Sequence, residues 1–343
     1  MRKLSDLYQR YTAYIVDIVL LVSITELICH ILGIYPVIYT FVSSYSIEFS
    51  EGFHALFATY FGLMNLLILY VVSFGYFFLD SLTGKGVGSV IWSLKLVNVE
   101  ERAKRPLVKR LVRSAIKAFP ISNLIDFLFF LKYPKYLMRL SDSKMGMVRG
   151  HVTGEGPLKS SHSRFIFSGS IIYYSNFFLE LVIFSIKGAS SSITNTVGHL
   201  SAKPFLSPNF GTLFSQIFSN NISLDLNLMV GGIFLSMSTL IKMISSNLID
   251  AGLTSVFIQQ AGLGGFFRSL FPQFVPETMG YVFGLGVALQ MSSILISLVQ
   301  AYAREEPTKD FKTATFLRLK MIMLFAMFSV VLLIIGALIE AAL

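Results

Sequence analysis

The residues best placed to do chemistry are Arg10 and Asp17, in the first long apolar stretch of the chain. On a helix Arg10, Tyr14 and Asp17 share one face, with Arg10 about 10 Å from Asp17 along the axis. An ionised carboxylate inside a bilayer costs roughly 2.5–3.5 kcal/mol on insertion scales. Such a residue persists when it pairs with a partner, lines a wet path or holds helices together. Two readings follow. In one, the pair is a structural clasp: Arg10 reaches to the membrane edge while Asp17 bonds a neighbouring helix. In the other, Asp17 binds a proton or a cation on a translocation path.

A second set of polar residues stands out in the second half of the chain. Glu180, Asp225 and Glu277 lie within or at the ends of apolar stretches with few cations nearby, and Asn221 and Asn247 lie in the same region. Pro272 and Pro276 just precede Glu277, and proline frees backbone carbonyls of a helix to bond a neighbour or a cation. An interhelical hydrogen-bond cluster of Glu180, Asn221, Asn247 and Glu277 is one reading, and a polar site for an ion or lipid headgroup is the other. Gly280, Gly284, Ala288 and Ser292 recur at four-residue spacing, a small-residue seam that admits another backbone closely. The seam leaves open whether its partner is in the same chain or a second copy, and a homo-oligomer is expected.

Enzymatic motifs are missing. The histidines His30, His54, His151, His162 and His199 are scattered, and no zinc-protease or nucleophile-elbow spacing occurs. Cys29 is the single cysteine, which excludes an intrachain disulfide and a thiolate metal site. No enzyme activity, metal or cofactor is expected. The glycine-rich turn from Thr83 to Gly88 lacks phosphate-loop spacing. It reads as a tight turn at the membrane edge, with Trp92 as an interfacial anchor.

The elements that must position these residues are long and apolar. Of 343 residues, 54% are hydrophobic and 14% charged, against about 25% charged in an ordinary globular domain. Mean hydropathy is +0.68. Residues 55–79 and 321–339 carry no charge at all, and each is long enough to cross a hydrocarbon core of about 30 Å. No barrel-type alternation is present. The expected fold is all-α and polytopic. About seven spans are expected, at residues 11–32, 55–79, 165–186, 222–245, 251–267, 275–300 and 316–340. Residues 114–131, short and broken by Pro120, are expected to lie in the interface or re-enter.

The net charge of +9 is one-sided. With the N-terminus in the cytoplasm, all but Lys187, Lys203 and Arg268 of the 28 Lys and Arg residues fall on that side. The positive-inside rule therefore predicts a cell-membrane protein with a cytoplasmic N-terminus and an external C-terminus. The basic face suits anionic lipid headgroups, and nucleic acid is not an expected partner. Met1-Arg2-Lys3 reads as the flank of a retained first span rather than of a cleaved signal.

The run from Tyr8 to Asp17 resembles the opening of the RDD family, named for one arginine and two aspartates. The likeness continues through the Thr83–Gly88 turn, Leu94–Asn98, Pro106-Leu107 with Arg110, Arg113 and Ser114, and Ser141-Asp142 with Gly146. It covers about residues 4–152. Arg10, Asp17 and Asp142 take the signature positions, while Gly84-Lys85 and Ser143-Lys144 depart from the family pattern. The resemblance implies transport, with sodium–proton exchange linked to some members, so Asp142 joins Arg10 and Asp17 as a candidate and monovalent cations become candidate partners. From about residue 165 to the end the chain resembles the stage II sporulation protein M family. Phe218, Asn221, Asn247, Pro272, Glu277 and Glu340 match its motif positions. Gln273, Phe274 and Leu248 replace the family His-Gly and the Gly after Asn247. This resemblance implies a membrane-organising or remodelling component that interacts with lipid. The expected domains are 1–152 and 165–343, joined by a linker at 153–164.

Overall fold

The computed structural model describes residues 7–32, 63–83, 86–92, 94–98, 106–118, 147–151, 161–187, 209–303 and 309–342. Asp142, Glu48 and Glu51 lie outside the described residues, as do residues 119–131 of the ambiguous segment.

Among the described residues the chain is helical apart from one two-stranded ribbon. Helix α1 (Leu7–Ile31) is followed by α2 (Leu63–Thr83) and the short α3 (Val87–Ile91). Strand β1 (Leu94–Asn98) pairs antiparallel with β2 (Met147–His151), with α4 (Pro106–Ala118) between them in sequence. Then come α5 (Ser161–Lys187), α6 (Phe210–Val230), α7 (Met237–Ser269), α8 (Phe271–Ala303) and α9 (Lys309–Ala342). Five of these helices are long and apolar enough to cross a membrane, namely α1, α5, α7, α8 and α9, and α2 carries a shorter apolar stretch. Large apolar side chains such as Val71 and Leu79 of α2 and Met323, Met327 and Phe328 of α9 face outward. That is the surface of a multi-pass membrane protein, where lipid covers what water would not.

Helix α5 packs against α1, α7 and α8. It runs parallel to α1: the Tyr8 ring stacks near Phe165, and further along Asn176 Nδ2 donates to Ser23 Oγ at 3.2 Å. Helices α8 and α9 run antiparallel, tied by Arg318 Nη1 to Ser297 Oγ at 2.8 Å and Ser329 Oγ to the Gly280 carbonyl at 2.8 Å. The bundle thus has a near end, where α1 begins, and a far end, where α1 finishes.

The sequence-based boundaries in the second half are corrected in one place. A break was expected between spans at 222–245 and 251–267. The helix instead ends at Val230, turns through Gly231–Ser236 and runs unbroken past Asn247 and Asp250. The glycines explain the turn: a Cβ on Gly232 would stand 2.5 Å from the Ala288 carbonyl oxygen. Leu235 and Ser236 take left-handed φ values of 52° and 59°, and Ser236 Oγ is held by Ser292 Oγ at 2.7 Å. Asn247 and Asp250 look like loop residues, yet both face inward. The start of α5 also falls within residues 153–164, which read as linker.

Trp92 is corrected too. It is fully buried rather than interfacial, edge-on to Tyr8 and Phe165 at centroid distances of 6.0 and 4.9 Å. Its Nε1–H donates to Ser168 Oγ at 3.2 Å, which satisfies the one polar atom of a buried indole.

Candidate functional site

Asp17 sits at the near end, 1% exposed. Its Oδ1 accepts from Tyr76 of α2 at 2.5 Å and from the Gly88 backbone N–H at 2.7 Å. Tyr76 Oη also accepts from the Val87 N–H at 2.7 Å. Gly88 lies so close to α1 that a Cβ there would overlap the Ala13 carbonyl. The glycine turn therefore plugs α3 into α1 and presents its backbone donors to Asp17. Arg10 is wholly buried on the same helix.

Beside it lies a second acid that the sequence reading did not single out. Asp80, 3% exposed, accepts from the Gly86 N–H at 3.0 Å and pairs with Arg113 at 3.3 Å and Lys117 at 3.7 Å. Lys117 Nζ also lies 4.8 Å from the centre of the Phe77 ring. Arg110, Arg113, Ser114 and Lys117 recur at helical spacing on α4. The face turned to α2 is the charged one, whereas Leu107, Val108, Leu111 and Val112 are exposed. A helix with this inverted pattern fits a lipid surroundings outside and an acid inside. The inverted stripe was the available signal for Asp80.

The far end is built differently. Asn221 Nδ2 of α6 donates to Glu277 Oε1 of α8 at 2.6 Å, and the Glu277 side chain packs against Gly336 of α9, one turn from Glu340 and within electrostatic reach of it. Asp250 of α7 lies within electrostatic reach of both carboxyl groups, and Ser246 Oγ donates to its Oδ2 at 3.5 Å. Among the described residues no Lys or Arg forms an ion pair with Glu277, Glu340 or Asp250. Of the four residues of the expected cluster, Asn221 and Glu277 meet, while Asn247 and Glu180 lie in other contacts. Asn247 Nδ2 instead donates to the Tyr173 carbonyl and to Asn176 Oδ1, both at 3.1 Å. Glu180 of α5 lies within electrostatic reach of Glu26 of α1. Among the described residues, no three His, Cys, Asp or Glu side chains converge as a metal site.

The small-residue seam finds its partners within the chain. Gly280 faces Leu333 and Ser329 of α9, and Gly284 makes room for the Asp225 carboxylate of α6. Asp225 Oδ2 accepts from Ser329 at 2.5 Å. Ala288 meets Gly232, and Ser292 Oγ donates to the Gly232 carbonyl at 2.8 Å. The seam is filled by α6, α9 and the Gly231–Ser236 turn, so it offers no face to a second copy.

Two family models match the chain. The RDD family covers residues 4–190, further than the motifs quoted above, and Stage II sporulation protein M covers residues 165–343. No curated protein and no solved structure matches. The matches overlap over residues 165–190, almost the whole of α5, the helix that packs against α1, α7 and α8. The chain belongs to the RDD family through residues 4–190 and to the stage II sporulation protein M family through residues 165–343, fused on one shared helix.

Proposed function

We propose that the protein is a proton-coupled membrane transporter in which the Glu277–Glu340 pair, and not Asp17, handles the ion. The observation that supports this reading is the crowding of three acids, with Glu277 packed against α9 at Gly336, one turn from Glu340, and Asp250 within electrostatic reach of both. Carboxyl groups crowded in a helix bundle repel as anions, so such a site favours holding a proton among its acids. Asn221 fixes the pair from α6, and a monovalent cation arriving there would displace the proton, the step that cation–proton exchange needs. Asp17, by contrast, is tied by Tyr76 and Gly88 into the contact between α1, α2 and α3. We assign it to the clasp.

The test is sodium-driven proton flux in proteoliposomes. Glu277→Gln and Glu340→Gln should fall to the rate of empty liposomes, while folded Asp17→Asn keeps its flux. No flux from well-folded wild-type protein sinks the proposal. A second reading, a non-catalytic membrane-organising component, draws on α4, whose apolar face is turned outward over a charged inner face. Flux absent from the wild type, together with anionic lipid retained on purification, would favour it.

A further inference from the structure

Helix α5 carries Tyr173, Asn176 and Glu180 at i, i+3 and i+7, a single inward stripe about 10 Å long. Tyr173, Asn176 and Glu180 are 2%, 0% and 3% exposed. Asn247 and Asp250 of α7 lie on one face, as do Ser23 and Glu26 of α1. The stripes meet: Asn176 bridges Ser23 and Asn247, and Asn247 reaches the Tyr173 carbonyl. The Tyr173 ring stacks near Tyr281 at 6.2 Å, and its hydroxyl is within electrostatic reach of Asp250, Tyr281 and Glu277.

Three atoms on this route have no hydrogen-bond partner although they are buried: Tyr173 Oη, Asn247 Oδ1 and Glu180 Oε1. Tyr173 and Asn247 stand between the two carboxyl pairs, Glu180 Oε1 belongs to one of the pairs, and a water at each atom would satisfy it. A buried water commonly makes about three hydrogen bonds to such groups. Glu340 is partly exposed. Glu26 and Glu180 lie deeper in the contact between α1 and the shared helix.

We propose that Tyr173, Asn247 and Asp250 line a hydrated passage that carries protons between the Glu277–Glu340 pair and the Glu26–Glu180 pair, and so joins the two family segments. This rests on the proton-handling role of Glu277 argued above. In each transfer a proton leaves the Glu277–Glu340 pair, the Tyr173 hydroxyl takes it on Oη and releases its own to water, and the Glu26–Glu180 pair accepts it. One O–H bond breaks for each that forms, and no other reactant is needed. Asn247 does not relay; it orients the water. Tyr173 is a positioning and relay residue.

The test reads protonated-carboxyl infrared bands of the full chain in lipid nanodiscs after a jump into D2O. Glu277→Gln and Glu180→Gln should each delete one band, which assigns the two pairs. Tyr173→Phe keeps the ring stacking and should leave both bands. It should slow exchange of the Glu180 band by about tenfold, the scale of one lost hydrogen-bonded step, without slowing that of Glu277. Asp250→Asn, which leaves the aromatic packing untouched, should slow the same band. An unchanged Glu180 exchange rate in both variants, or no band lost in Glu180→Gln, overturns the passage. The readout needs no transport. Slowed exchange in a protein that carries no flux keeps the passage and removes the transport reading. Intact flux with unslowed exchange does the reverse.

Discussion

At the near end of the bundle buried acids face donors and cations; at the far end they face other acids. Asp17 has Tyr76 and the Gly88 N–H, and Asp80 has Arg113, Lys117 and the Gly86 N–H. Glu277 has Glu340, Asp250 and one amide, and Glu180 has Glu26. The near-end charges are compensated in place, which suits a joint. Among the described residues no Lys or Arg forms an ion pair with Glu277, Glu340 or Asp250, which suits an exchange site. The difference teaches that an intramembrane carboxylate is read from its partners, not from its depth. Asp17 drew attention by its place in the first span, but it is the better satisfied of the two.

The comparison breaks most sharply at Asp80. Asp80→Ala leaves Arg113 and Lys117 buried beside α2 without their acid. Removing one partner of a buried ion pair costs about 3–5 kcal/mol. Thermal unfolding in nanodiscs should show a loss of that order, with α4 detaching before the bundle melts. A loss below about 1 kcal/mol would place the pair among solvent-exposed bridges and end the joint interpretation.

How much of this was legible beforehand depends on what each residue had to signal. Helices α1, α5, α8 and α9 follow from long apolar runs, and the two families follow from motif order. The Gly231–Ser236 turn did not, because paired glycines read equally well as a packing face, and Asn247 and Asp250 offered a more polar place to break the chain. The Asn221–Glu277 bond joins two residues singled out by type, yet Asn247 and Glu180 were grouped with them and belong elsewhere, since residue type carries no information about which helix faces which. Asp80 went unnoticed because a carboxylate near the end of a span reads as solvated. Only the inverted face of α4 tells that its partners come inward. Trp92 misled in the opposite direction: a lone indole near a membrane edge suggests an anchor, and its burial depends on Phe165 and Ser168, far away in sequence.

A middle-sized effect is expected at the seam. Gly284→Ala puts a methyl group onto the Asp225 carboxylate, which is already held by Ser329. Overpacking of this kind costs typically 1–3 kcal/mol. Unfolding should show that loss, while the oligomeric state stays as in the wild type, because the seam is occupied by α6 and α9 of the same chain. A change of oligomeric state without loss of stability would show that a second copy competes for the seam.

The smallest effect on stability is expected where the effect on function is largest. Glu277→Gln preserves the size and shape of the side chain, and its amide keeps both a donor and an acceptor for Glu340 and Asn221. The hydrogen bonds are exchanged rather than lost, so unfolding should move by less than about 1 kcal/mol. The variant also removes one of the acids crowded against Asp250. A stability loss comparable to that of Asp80→Ala would show that the Glu277–Glu340 pair is itself a clasp, with the two ends of the bundle alike. Unchanged stability with lost flux would separate the ends completely, since the same change of acid to amide at Asp17 is expected to leave flux in place.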